Sequence, residues 1–227
     1  MIDIQEQQNL FLRIAERLPK KIEVYAIGGT AMMFLGLKYN TLDVDLVFSN
    51  VEDRKIFKET AKLLDFKESS AEIVYGKKEN TPEMVVIADV RLDLFLFKIV
   101  SSYFSEPMQK RATQIHEFAG KLIIRVADPQ DILIMKSVTS REKDVNDIVA
   151  IIKNTKINWD VIVNESCEQV RLGNETAILG LGEKLEKLVN RKIIVVPKDV
   201  LDRLWKLLSK QVKGKNKVKK NKVKNKK

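Results

Sequence analysis

The chain has 227 residues, 44% of them hydrophobic and 32% charged, the balance of an ordinary globular protein large enough for one big domain or two small ones. No apolar run approaches the roughly 18 to 20 residues that span a bilayer, and the opening MIDIQEQQNLFLRIAERL lacks the basic and apolar blocks of a secretory leader. The single cysteine, Cys167, excludes an internal disulfide framework and a cysteine-cluster zinc site. A reducing cytoplasm is the expected compartment, with no membrane partner. The formal charge of +10 is unevenly spread: residues 213–227 hold nine lysines and no acid, and without them the chain stands at about +1. Such a tail buries too little apolar surface to fold and is expected to be disordered. It serves either to attract phosphate backbones, RNA among them, or simply to keep the chain soluble.

In chain order, residues 2–19 place Ile4, Leu10, Phe11, Ile14 and Leu18 at helical spacing. KIEVYAIGG then predicts a strand running into a tight glycine turn, and TAMMFLGL a short buried helix. LDVDLVF alternates acid and apolar residues with the period of a strand showing one polar face. VEDRKIFKETAKLL predicts an amphipathic helix. FKESSAEIVYG, MVVIADVRLDLFLF and KLIIRVA favour β structure, while PMQKRATQIHEF between them is ambiguous. Beyond residue 127 the pattern turns helical: DPQDILIMKSVTSREKDVNDIVAIIK predicts two helices or one broken one, with Asp128 as cap and Pro129 at the first position. Residues 158–172, 174–190 and 196–210 predict three more. The expected architecture is α+β, with a mixed β-sheet flanked by helices over residues 1–126. A helical domain over 127–210 and a lysine-rich tail over 211–227 follow it.

Three features carry chemistry. Gly28-Gly29-Thr30 sits between a strand and a helix, where glycine lets backbone approach a ligand, amide N–H groups face an anion and Thr30 adds a hydroxyl. Asp43 and Asp45 lie two apart on a strand and therefore share a face. Two carboxylates so placed among Leu42, Val44, Leu46 and Val47 repel each other, and must be neutral, solvated or bound to a cation. Hard oxygen ligands suit magnesium. Asp93 is a third carboxylate, inside the apolar run VRLDLFLF. Asp89 has the same parity, but apolar residues enclose Asp93 more tightly. Other polar and aromatic residues take structural roles: His116 is too isolated for a histidine metal site, and Trp159 and Trp205 are expected to anchor helices.

Taken together, Ile27-Gly28-Gly29, thirteen intervening residues, Asp43-Val44-Asp45-Leu46 and the later Asp93 resemble the nucleotidyltransferase superfamily, whose fold is that of DNA polymerase beta. The later pair of segments is similar to the "D-x-x-x-x-K … R-x-K-D-x-x-D" helices of minimal prokaryotic nucleotidyltransferases, including abortive-infection type IV toxins. It comprises Asp131 to Lys136, and Arg141 to Ile148 with Asp144 in the motif. The resemblance implies a nucleotidyltransferase fold and transfer of a nucleoside monophosphate from an NTP, ATP among the candidates, to an acceptor hydroxyl on RNA, tRNA included, or on protein. It further implies that Asp43, Asp45 and Asp93 hold two Mg²⁺ ions. Gly28, Gly29 and Thr30 would cradle the β- and γ-phosphates, with Lys136 and Arg141 meeting nucleotide phosphate and Asp144 orienting a neighbouring group. The toxin version brings an antitoxin protein as partner. Two other readings stay open: an inactive scaffold that binds nucleotide or nucleic acid, and a nucleic-acid-binding module centred on the tail.

Overall fold

The fold is a computed structural model that describes residues 1–64, 66–68, 71–76, 79–139 and 141–224, with side chains except those of 66, 68, 71 and 214–224. The chain divides into two compact units, Met1–Met135 and Lys136–Lys227. The division falls about nine residues beyond the boundary expected at Ala127.

The first unit opens with β1 (Ile2–Asp3), α1 (Ile4–Ala15), β2 (Ile22–Ala26), α2 (Gly28–Phe34), β3 (Asn40–Thr41), β4 (Asp43–Phe48) and α3 (Val51–Ala61). It continues through β5 (Phe66–Glu68), α4 (Ala71–Tyr75), β6 (Glu83–Ile87), β7 (Val90–Leu96), β8 (Lys98–Ile99) and β9 (Ser102–Tyr103), then α5 (Glu106–Arg111), β10 (Gln114–Phe118), β11 (Leu122–Val126) and α6 (Pro129–Ser137). The sequence signals explain the boundaries. Asp3 and Glu6 close a capping box on α1, Asn50 caps α3, and Asp128 accepts the Gln130 N–H at the start of α6. The strand-like FKESSAEIVYG is split: only Phe66–Glu68 pairs in the sheet, Ala71–Tyr75 is a short helix, and residues 69 and 70 lie outside the described residues. The ambiguous PMQKRATQIHEF divides into the end of α5 and the edge strand β10.

The main sheet is mixed, in the order β10-β11-β2-β4-β7-β6-β5, with β8 on β7 and β9 on β8. Two parallel pairings, β11 with β2 and β4 with β7, sit among antiparallel ones. The two faces of the central strands differ. Val44, Leu46, Phe48, Leu92 and Leu94 are fully buried, and α3 covers that face, with Phe57 meeting Phe48 edge-on at 5.3 Å. The opposite face of β4 and β7 carries Asp43, Asp45, Arg91 and Asp93 in register, Asp43 beside Arg91 and Asp45 beside Asp93. Farther round the sheet, Arg111 of α5 grips the fully buried Asp131 of α6 through Nε and Nη2, at 2.6 to 3.1 Å.

The second unit holds the end of α6, then α7 (Glu142–Asn154), α8 (Trp159–Arg171), α9 (Ala177–Asn190) and α10 (Lys198–Lys224). Trp205 packs on α9 at Gly182, where a side chain would press on the indole at 3.0 Å, so this tryptophan is a packing anchor. The last helix extends to Lys224, into the lysine-rich segment expected to be disordered; residues 225–227 lie outside the described residues. At the start of this unit Lys136, 7% exposed, is bound by Asp144 at 2.9 Å and Asp147 at 2.6 Å. Thr139 donates its hydroxyl to Asp144 Oδ2 at 2.5 Å, and Arg141 Nε donates to the same oxygen at 2.7 Å. Lys184 ties the turn by donating to the carbonyls of Ser137 and Thr139.

This cluster sets a pH window. Burial alone would raise the Asp144 carboxyl, but Lys136 and the hydrogen bonds from Thr139, Lys136 and Arg141 outweigh it and hold the group at about 2. A carboxyl depressed in the folded state stabilises above its ordinary value of 3.8, and that stability is lost as pH falls toward 2. Urea unfolding between pH 5 and pH 2 is expected to show this loss, and Asp144→Asn to flatten that part of the profile. Lys136→Met, which removes the buried cation set between two acids, is expected to cost about 3–5 kcal/mol at neutral pH.

Candidate active site

The site begins with a break in pairing. β2 and β4 run antiparallel from Val24/Phe48 to Ala26/Leu46, and one further bond joins the Ile27 N–H to the Asp45 carbonyl at 3.2 Å. There the strands part. The Asp45 N–H turns to the fully buried Thr30 hydroxyl, which accepts it at 2.8 Å. Thr30 thus staples the start of α2 to the strand that bears the acids. Gly28 occupies the left-handed region at φ +56, and a Cβ there would lie 2.5 Å from Asp45 Oδ2. Both facts demand glycine. At Gly29 a Cβ would lie 2.4 Å from the Thr41 hydroxyl. The glycine turn therefore passes directly against one of the carboxylates.

Opposite it stand the three acids. Asp43, Asp45 and Asp93 each offer a carboxylate oxygen, and these oxygens lie within 4.8 Å of one another. Asp43 and Asp45 are half-buried and Asp93 is 0% exposed. Parallel pairing of β4 with β7 brings them together, because residues opposite one another in register emerge on the same face. Asp89 takes no part. It occupies the β6–β7 turn with Ala88, both at positive φ, and its exposed carboxylate meets Lys67 at 3.3 Å.

Two residues that sequence patterning did not single out complete the cluster. Arg91, two before Asp93 and on the same face, donates to Asp43 through Nη2. Its Nε forms an ion pair with Asp93 Oδ1 at 3.0 Å, at an angle that makes no hydrogen bond. Tyr75, from α4, donates its hydroxyl to Asp93 Oδ2 at 2.6 Å and sets its ring edge-on to Phe95. The spacing of Arg91 from Asp93 was a usable signal; nothing local marks Tyr75. Burial pushes the Asp93 carboxyl up, further than Tyr75 and Arg91 draw it down. Burial, then the charges of Asp93 and Asp45, hold the Tyr75 phenol above its ordinary range. Burial would lower the Arg91 guanidinium, but Asp93 and Asp43 raise it.

The donor set fits a hard divalent cation. It is all carboxylate, like-charged and partly dehydrated, and one buried oxygen of Asp93 has no hydrogen-bond donor. Of the residues expected at the site, the structure brings Gly28, Gly29, Thr30, Asp43, Asp45 and Asp93 together in the first unit. Lys136, Arg141 and Asp144 form a cluster of their own in the second.

A family model described as "Nucleotidyltransferase of unknown function (DUF6036)" matches residues 2–176. No curated protein matches the chain. Among solved structures, that of ANT(2")-Ia in complex with adenylyl-2"-tobramycin is similar at 14% identity, over 80% of this chain and 98% of that one, with a TM-score of 0.43. JHP933 from Helicobacter pylori is similar at 16% identity, over 94% and 98% of the two chains, with a TM-score of 0.38. The family match spans the glycine turn, the three acids and the Lys136–Asp147 segment alike, and the chain belongs to this nucleotidyltransferase family.

Proposed function

We propose that the chain transfers a nucleoside monophosphate from an NTP to an acceptor hydroxyl on RNA or protein in a magnesium-dependent reaction. The observation that carries this is the carboxylate cluster: three acids with oxygens within 4.8 Å, set against a glycine turn that admits no side chain. Asp43, Asp45 and Asp93 would hold Mg²⁺, which when bound supplies positive charge for the triphosphate and for the attacking and leaving oxygens. The chain's own residues do the rest. The bare backbone at Gly28 and Gly29 lets phosphate oxygens approach beside Asp45. Thr30 holds Asp45 in place through its backbone N–H. Asp93 would complete the metal site on the side where the acceptor hydroxyl is activated. The acceptor oxygen bonds to the α-phosphorus, the bond to the β-phosphate bridge breaks, and pyrophosphate departs. Most of the acceleration comes from positioning and fixed charge.

Lys136, Arg141 and Asp144 enter as nucleotide-binding residues on the strength of the resemblance. Arg141, whose side chain is 56% exposed, is the one we assign to phosphate, with Lys136 and Asp144 holding the turn that presents it. The lysine-rich end favours a phosphate-bearing acceptor such as RNA, and a toxin with a cognate antitoxin is one setting for such an activity. Among the described residues no helix is long and apolar enough to cross a membrane, and we place the reaction in the cytoplasm. An inactive scaffold is the lesser reading, because a fully buried carboxylate beside two others costs stability with no return unless a cation or proton is to be handled.

Incubating the chain with each α-labelled NTP, Mg²⁺ and total cell RNA or protein tests the proposal, with labelled acceptor on a gel as the expected result. Asp45→Ala is expected to cut label transfer by at least 10²- to 10³-fold, roughly the scale for removing one charge-stabilising group, while leaving the circular dichroism spectrum unchanged. Undiminished transfer by that variant would defeat the assignment. Gly28→Ala forces a Cβ onto Asp45 Oδ2. Calorimetric titration with Mn²⁺ is expected to show its metal affinity weakened roughly 10- to 100-fold, the range for disturbing the support of a metal ligand.

A further inference from the structure

The hydroxyl nearest the buried carboxylate belongs to the protein itself. Tyr75 Oη lies 2.6 Å from Asp93 Oδ2, on the face of β7 that carries the acids, with its ring held edge-on to Phe95 at a centroid distance of 6.3 Å. The helix that delivers it is otherwise thinly attached: Ile73 is 85% exposed and Val74 46% exposed. Tyr75 itself is half-buried and reaches inward, and what it reaches is the acid assigned above to the acceptor's side of the site. A hydroxyl in that position has the chemistry and placement of an acceptor.

We infer that Tyr75 is an internal acceptor, and that the chain nucleotidylylates its own Tyr75 hydroxyl. The inference rests on the nucleotidyl-transfer reading and names an acceptor class for it, a phenolic hydroxyl. In the step, Tyr75 Oη forms a bond to the α-phosphorus of a nucleoside triphosphate. The bond from that phosphorus to the bridging oxygen of the β-phosphate breaks, and pyrophosphate leaves with the bonding pair. The phenolic proton passes to Asp93 Oδ2 and on to solvent. The product is a phosphodiester between the tyrosine and the nucleoside, and no oxidant or reductant takes part. Tyr75 needs no diffusional encounter to reach Asp93, which favours modification in the absence of any added acceptor.

The full chain, purified and incubated with each NTP and Mg²⁺ but no other acceptor, is analysed by intact mass and by peptide mapping, with pyrophosphate release followed in parallel. The expected result is a gain of one nucleoside monophosphate, mapped to Tyr75, together with pyrophosphate. Tyr75→Phe keeps the ring on Phe95 and is expected to lose that label while still binding Mn²⁺ by calorimetry, a readout independent of turnover. The wild-type peptide map decides the matter even should that variant fold poorly. Label confined to other residues, or undiminished in Tyr75→Phe, overturns the inference. So does pyrophosphate release that requires added RNA or protein and leaves Tyr75 unmodified, an outcome that leaves the nucleotidyl-transfer reading standing. Absence of pyrophosphate under every condition, with and without added acceptors, overturns both.

Discussion

Three carboxylates within 4.8 Å repel one another, and the first unit is organised around meeting that cost. The repulsion is created by one register, the parallel alignment that sets Asp45 beside Asp93 and Asp43 beside Arg91. A slip of β4 by one residue would send Asp43 and Asp45 into the apolar layer under α3 and bring Val44 and Leu46 to the open face. The hydrophobic pattern thus enforces the polar one. The same register supplies the remedy, because the residue that pairs with Asp43 is an arginine.

The surroundings act on this cluster from three sides. The glycine turn presses against Asp45 where β2 leaves β4, and Thr30 takes up the strand N–H that β2 no longer meets. Tyr75 caps Asp93 from above the sheet. Of the three acids only Asp93 is fully enclosed, and burial raises its carboxyl, so the three sit in unequal surroundings although their residue type is the same. Elsewhere in the chain, charges are buried with their partners supplied. Asp131 is held by Arg111, and Lys136 by Asp144 and Asp147.

Much of this was legible in the residues, and the reasons are local. Period-two alternation in DVDLVF and VRLDLFLF placed both acid-bearing strands, and the spacing from Gly28-Gly29 to Asp43 tied the turn to them. The competition between Asp93 and Asp89 was not soluble by parity. A type of turn with two positive φ values put Ala88 and Asp89 at a hairpin tip, although neither is glycine. Residues 71–75 resemble a strand by their β-branched and aromatic content, yet they coil into a short helix, an override of propensity by context. The partnership of Tyr75 with Asp93 therefore had no local signature. Lys136 read as a point charge for phosphate, but a long side chain can be drawn into the protein by acids eight and eleven positions later, here the two acids of the motif, Asp144 and Asp147.

Arg91 has a consequence for how the protein comes into being. Where a metal ion is the sole counter-charge of a folded domain, the chain waits for that ion before it can fold, and stripping the ion unfolds it. Here the guanidinium, held between Asp43 and Asp93, travels with the chain from synthesis onward. Folding of the first unit is thereby uncoupled from the supply of divalent ions, and any cation the acids take up meets a site already formed.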